Sequence, residues 1–308
     1  MTNVALIFPG QGAQKVGMGR ELYESSAQAR EIFDSANKVI DGLTDIIFNG
    51  PEEKLTSTQY CQPAIFTYSI AALEALRASE KYKDITPKFV CGLSLGECSA
   101  LCASGALSFE EALKLVVKRA SFMEEATKET KGTMVAIIGL EKDKIVEICA
   151  EVGSEVANFN SPDQIVITGE IDKVAAAAEK IKEAGAKRVI PLDVAGAFHS
   201  TLMQPAQIKF KEELENYSFK QAETPIISNV DAKSTADPEV IKANLAKQIT
   251  SSVLWVDTVE AIAEQGIVNF IEIGPGSVLK GLIRKINREL IVSNIQKPED
   301  VQGLSFQV

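Results

Sequence analysis

Ser94 sits in Gly92-Leu93-Ser94-Leu95-Gly96, the G-x-S-x-G spacing whose glycines permit a sharp turn from strand to helix and lift the central hydroxyl clear of a sheet. A serine hydroxyl is a weak nucleophile at neutral pH and needs a base to take its proton, work that suits imidazole. The chain has one histidine, His199, in "VAGAFHSTL". Taken alone, a single histidine reads as a surface or core residue, and Ser94 reads as the N-cap of a helix after a tight turn. Paired, the two make an acyl-transfer site. A third, histidine-orienting member is not evident; Asp193 is near in sequence but would need the right geometry.

Two further features bear on such a site. Arg119 shares a helical stripe with Ala112, Leu115 and Phe122, so its guanidinium emerges from a partly apolar face and needs an anionic partner. A structural ion pair and a fork for a substrate carboxylate both satisfy that need. "FPGQGAQ", Phe8 to Gln14, follows a strand but lacks the third glycine of G-x-G-x-x-G. With no Walker A pattern either, nucleotide binding is a weak reading. A loop there would instead face the elbow amide of Leu95 as a second oxyanion donor.

Strands must carry these residues to one edge. "VALIFPGQG" and "KFVCGLS" read as strands that end at the glycine loop and at the serine, with helices such as Ala64 to Arg77 between them. Alternating strands and helices predict an α/β fold. "SFEEALKLVVKRASFMEEA" opens with a capping box, Ser108 with Glu111, and predicts a helix to about Ala126. From Gly132 to Val194 the order is βαββαβ, the ferredoxin-like unit. The expected organisation is a large domain of residues 1–130 and 195–308 interrupted by a ferredoxin-like subdomain of residues 131–194. "TPIISNV" and "VNFIEIGPG" read as later strands, and Pro238 to Gln248 and Ser277 to Glu289 as helices. The end, "KPEDVQGLSFQV", has no periodicity and reads as a loosely held tail.

A chain of 308 residues, 45% of them hydrophobic, can bury a large core, and a net charge of -10 argues against a nucleic-acid partner. No basic segment leads into a long apolar one, and no run of about 18 apolar residues occurs. The expectation is a cytoplasmic protein with no membrane association. Five cysteines, none in CxxC spacing, read as reduced thiols, and with one histidine no metal site is expected.

"GQGAQ", "GLSLGE", Arg119, "GAFHS" and "QITSSVLW", in this order and spacing, resemble the malonyl-CoA:acyl carrier protein transacylases of fatty-acid synthesis from about residue 4 to residue 290. The resemblance implies an α/β-hydrolase-like core with a parallel sheet, plus the inserted ferredoxin-like subdomain. It makes Ser94 the acylated nucleophile, His199 its base, and the amides of Gln11 and Leu95 the oxyanion hole. It makes the main-chain carbonyl of Gln248 the group that orients His199 in place of a carboxylate, and Arg119 the holder of the malonyl carboxylate. Met123 would line the same pocket, and Asn160 falls near it without an assigned role. Leu93 departs from the family's common histidine before the nucleophile.

The implied reaction is ping-pong, from coenzyme A to acyl carrier protein through a malonyl-serine, with no tightly bound cofactor and a monomeric enzyme. Two rivals remain: a serine thioesterase or esterase, and a noncatalytic acyl-carrier-binding module. Carrier proteins are acidic, so docking would need a basic patch; Lys280, Arg284 and Arg288 on the last expected helix, and Lys187 with Arg188, read as solvated faces first and docking residues second.

Overall fold

The computed structural model describes residues 1–304 and 306. Its ten strands form two sheets: β1 (Thr2–Phe8), β2 (Ile85–Gly92), β7 (Ile226–Ile227), β8 (Ser234–Thr235), β9 (Asn269–Ile273) and β10 (Ile291–Ile295) in one, and β3 (Gly132–Ile138), β4 (Glu155–Ser161), β5 (Gln164–Glu170) and β6 (Arg188–Pro191) in the other. The first sheet runs in the order β10-β9-β1-β2-β7-β8 and is parallel except for β8, which pairs antiparallel with β7. β1 and β9 are covered on both faces. That is why "VALIF" and "NFIEI" are near-continuous apolar runs with no alternation.

β1 and β2 pair in register to the end, Phe8 opposite Gly92. The loop carrying Gln11 and the turn carrying Ser94 therefore leave the sheet side by side, and β7 delivers Ser228 and Asn229 next to them. Carboxyl ends of parallel strands are where loops of an α/β sheet converge. The elbow is enforced by lack of room. A Cβ on Gly92 would fall 2.2 Å from the Gly96 carbonyl carbon, and one on Gly96 would fall 2.0 Å from the Phe8 carbonyl oxygen. The helix Leu95–Ala103 starts one residue after Ser94, whose backbone sits at φ 52°.

The second sheet has the order β4-β5-β3-β6, antiparallel throughout, with helices Lys142–Val152 and Ile171–Glu183 between its strands. This is the ferredoxin-like arrangement. β4 is tied to the rest of the molecule by backbone hydrogen bonds, Val253 N to Ala157 O at 2.8 Å and Phe159 N to Val253 O at 3.0 Å. The helix Phe109–Glu129 carries the expected capping box at Ser108, and its length exposes one stripe and buries Arg119, Met123 and their neighbours.

The expected loose tail is corrected over its described part. β10, to which the sequence reading assigns no element, extends the sheet beyond β9, and the helix Pro298–Gln302 follows it. Val301 and Leu304 are buried, the carboxylate of Asp300 accepts from the amides of Gln296 and Lys297, and the Tyr68 hydroxyl donates to the Gln296 carbonyl. Ser305, Gln307 and Val308 of that expected tail lie outside the described residues. No helix among the described residues is long and apolar enough to cross a membrane.

Gly96→Ala is expected to destabilise the fold by about 3 kcal/mol or more, because backbone must move to admit the methyl. At Gly12, where φ is 95° and nothing lies within 4 Å, alanine meets only backbone strain of about 1 kcal/mol. Denaturant midpoints of the two variants check the ranking, and equal midpoints would contradict it.

Candidate active site

Ser94 and His199, 105 positions apart, meet at 2.8 Å between Oγ and Nε2. The other ring nitrogen, Nδ1, faces only acceptors: the carbonyl of Gln248 at 2.9 Å and that of Ser251 at 3.2 Å. It must carry the proton, which leaves Nε2 to accept from the Ser94 hydroxyl. Asp193 lines the same cavity but is not the group that orients the imidazole. Although Ser94 stands at the N-cap position, its side chain makes no capping hydrogen bond. The bland reading of this serine as a helix cap therefore fails.

The turn that presents His199 is held from two sides. Thr168 Oγ1 on β5 donates to the Phe198 carbonyl at 3.0 Å, and the Glu155 carboxylate on β4 accepts from Thr201 N at 3.0 Å and Oγ1 at 2.7 Å. On the other side Gly196 packs so closely on Thr127 that a Cβ would fall 2.5 Å from its methyl. His199 itself is at φ 59°, a left-handed conformation unusual for a non-glycine residue that surrounding structure has to impose.

Arg119 is 1% exposed. Its Nη2 donates to Ser94 Oγ at 3.0 Å and to Gln248 Oε1 at 2.9 Å, and its Nη1 to Gln62 Oε1 at 2.6 Å. Nε is buried without a partner. Among the described residues the guanidinium makes no ion pair. A buried cation met by two neutral amides and a hydroxyl, with one donor unsatisfied, retains capacity for an anionic partner. Burial lowers its pKa below the ordinary arginine value, while Cys98 and Glu97 act in the opposite direction.

Burial also pulls the His199 pKa down to about 4, and the nearby guanidinium adds to the shift. The imidazole is therefore neutral, and able to accept a proton, throughout the neutral range.

A cavity of about 660 Å³ opens over these groups, walled by loops of the first sheet, by strands β3, β4 and β5 of the second and by the helix Phe109–Glu129. Gln11, Leu95, Met123 and Asn160 all line it with Ser94, His199 and Arg119. Leu95 is the first residue of its helix, where an amide has no carbonyl partner within the helix. Met123 is buried, its sulfur 3.8 Å from Gln62 Nε2, and Asn160 on β4 has a buried Oδ1 without a partner. Gln248 lies behind the wall, bonded to His199 through its carbonyl. Leu93 lines the cavity and packs with the apolar cluster under the sheet.

Three residues of this site carry no role in the sequence reading. Asn229 braces the elbow, its Oδ1 accepting from Ser94 N at 2.7 Å and its Nδ2 donating to the Gly92 carbonyl at 2.7 Å. Glu97 lies one turn beyond Ser94 on a helix otherwise buried and nearly apolar; a charge in such company is a readable signal. Gln62 and Asn229 give none, because amides are common in loops and helix faces alike. Of the basic residues considered for docking, Arg284 and Arg288, with Lys285, line a second cavity of about 500 Å³. Lys187 instead lies over Gly139.

The acyl transferase domain model matches residues 5–302. The chain belongs to the acyl transferase family. This acyl transferase is 44% identical to the malonyl CoA-acyl carrier protein transacylase of Staphylococcus aureus (strain MRSA252), over 98% of each chain. It is also 44% identical to the enzyme of the same name from Bacillus subtilis (strain 168), over 98% of this chain and 96% of the other. Among solved structures it matches a malonyl-transacylase in complex with its type II PKS acyl-carrier protein, with TM-score 0.93, 37% identity and 98% of both chains covered. The acyl transferase fold is thus the expected α/β-hydrolase-like one.

The histidine titration is directly measurable, since the acyl transferase has a single imidazole. Its NMR signals should titrate near pH 4. A midpoint near the ordinary 6.5 would contradict the buried, cation-flanked geometry. Because the folded value is the lower one, the unfolded chain binds the extra proton, so this group's contribution to stability falls as pH drops from 6.5 through about 4.

Proposed function

We propose that this enzyme transfers a malonyl group from coenzyme A to the phosphopantetheine thiol of an acyl carrier protein, in fatty-acid synthesis, through an ester on Ser94. The observation that carries the reading is the guanidinium of Arg119 at 3.0 Å from the nucleophile's oxygen, without an ion-pair partner among the described residues. An esterase for neutral acyl groups has no use for a buried cation beside its serine. The names of the relatives and the carrier-protein complex of the structural neighbour support the same donor and acceptor.

In the first half-reaction His199 Nε2 takes the proton of Ser94 as Oγ attacks the thioester carbonyl. The amides of Leu95 and Gln11 receive the developing oxyanion. Collapse breaks the carbon–sulfur bond, and the imidazolium returns its proton to the departing coenzyme A thiolate. In the second half, His199 takes the proton of the carrier's thiol, sulfur attacks the ester, and Ser94 leaves as the alkoxide that recovers that proton. Throughout, Arg119 binds the malonyl carboxylate, Met123 and Asn160 shape the pocket around the acyl chain, and the Gln248 carbonyl keeps Nδ1 protonated. Residues 131–194 act as the inserted wall of the cavity. All these groups come from one chain, which supports a monomeric catalyst, and the free thiols support a reducing, cytoplasmic setting. The chemistry assigned to these side chains calls for no tightly bound cofactor. Arg284, on the helix Val278–Ile286 whose Val278 and Leu282 reach the cavity, and Arg288, just past the end of that helix and short of the expected end at Glu289, are the better-placed docking cations for an acidic carrier.

Mixing the enzyme with malonyl-CoA alone should release about one equivalent of coenzyme A in a burst and leave a stable malonyl adduct on Ser94, read by intact mass. Continuous release of free malonate would favour the esterase, and no adduct would favour a noncatalytic module. His199→Ala should slow acylation by on the order of 10²- to 10⁴-fold. Arg119→Ala should cut malonyl transfer by on the order of 100-fold while sparing acetyl transfer; equal loss with both substrates would remove the selectivity role.

A further inference from the structure

Glu97 is 3% exposed and receives donors on both oxygens: Ser228 Oγ reaches Oε1 at 3.0 Å, while Asn229 N at 3.1 Å and Gln248 Nε2 at 2.7 Å reach Oε2. Its backbone amide donates to the Ser94 carbonyl at 3.0 Å, but its side chain bonds neither Ser94 nor His199 and does not line the cavity, and the transfer chemistry makes no use of it. Its carboxylate meets the site at two points, the main chain of Asn229, whose side chain braces the elbow, and the side-chain amide of Gln248, and only the second leads to Arg119. Nε2 of Gln248 is claimed by three acceptors, Glu97 Oε2, the Ser94 carbonyl at 3.0 Å and Asn229 Oδ1 at 3.4 Å. The opposite end, Oε1, accepts from Arg119 Nη2 at 2.9 Å. An amide has no intrinsic preference between its two ends; neighbours decide. Here the carboxylate makes the strongest of the contacts on Nε2 and so turns Oε1 toward the guanidinium.

We propose that Glu97 is a positioning residue for carboxylate selection: it fixes the Gln248 amide so that Oε1 holds Arg119 in place, and supplies the guanidinium's counter-charge without occupying its fork. This rests on the reading that Arg119 binds the substrate carboxylate. The physical advantage lies in distance. A carboxylate bonded directly to Arg119 would compete with the substrate for the same donors. Placed one amide away, it still offsets the buried cation through a low-dielectric interior, yet takes up none of the guanidinium's donors, and Nε stays without a partner. Burial raises the Glu97 pKa, while Gln248, Asn229, Ser228 and the charge of Arg119 act to lower it. Its place in the first turn of the helix Leu95–Ala103 also favours negative charge.

The test is a double-mutant cycle on the full-length enzyme. Glu97→Gln removes the charge at constant size. Gln248→Met removes the amide but keeps the main-chain carbonyl on His199. Pre-steady-state acylation by malonyl-CoA and by acetyl-CoA is measured for the native enzyme, both single variants and the double. Each single variant is expected to lose about tenfold in malonyl kcat/KM, mainly through KM, and at least about fivefold more of it than of acetyl kcat/KM. The double variant should lose no more than the worse single one, since both break the same relay. Equal losses on both acyl groups would show a merely structural role for Glu97, and additive losses would show that it does not act through Gln248; either overturns the proposal. If Glu97→Gln fails to fold, Gln248→Met alone decides, because unchanged malonyl selectivity in that variant also overturns it. Arg119→Ala run alongside separates the two readings. Should it spare malonyl selectivity, the carboxylate role of Arg119 fails; should it abolish selectivity while the relay variants keep it, only the relay fails.

Discussion

Everything at this site depends on a backbone contact with no side chain in it: the second residue of a helix pressed against the last carbonyl of the neighbouring strand. Because Gly96 has no Cβ, which would come within 2.0 Å of the Phe8 oxygen, the chain can turn from β2 into its helix with only two residues, Leu93 and Ser94, between them. Ser94 is left at φ 52° with its hydroxyl out of the sheet. Asn229, in the turn just past β7, then spans the elbow, bonding both Gly92 and Ser94. A left-handed non-glycine residue costs of order 1–3 kcal/mol, and the brace offsets that cost where it is incurred.

Around this elbow the protein arranges opposite electrostatic conditions for neighbouring groups. The imidazole is kept neutral by burial and by a cation nearby. The guanidinium is kept charged, although buried, by amide oxygens and a carboxylate at one remove. Had the carboxylate bonded the imidazole, as in a serine-histidine-aspartate arrangement, the base would be more easily protonated; two main-chain carbonyls orient it without adding negative charge. Charge is thus reserved for the one partner that, in the proposed function, recognises an anion.

Much of this was legible in the residues. Strand-terminal "FPGQG" and "GLSLG" placed two loops at one edge, the capping box at Ser108 set the helix that carries Arg119, and βαββαβ spacing marked the inserted unit. The resemblance carried by the motifs named Gln11, Leu95, Gln248, Met123 and Asn160, and the cavity does contain or adjoin all five. β10 was missed because "IVSNI" is short and half-buried, and its strand character comes from pairing with β9. The ordered tail was missed for a related reason: Val301 and Leu304 are isolated apolar residues whose burial depends on what the rest of the chain places beneath them.

By itself, then, the sequence determined the local geometry: where strands stop, where the elbow turns, and that a serine, a lone histidine and a stripe-borne arginine were available. Only the tertiary structure decided that Nδ1 of His199 faces carbonyls rather than Asp193, that Arg119 lacks an ion pair among the described residues, and that Glu97 reaches it through Gln248. The physical reason is that backbone turns and helix starts are set by neighbours within a few residues. Hydrogen-bond partners 129 or 151 positions apart, as Arg119 and Glu97 are from Gln248, are chosen by whichever acceptors the packed core leaves within reach of a buried donor.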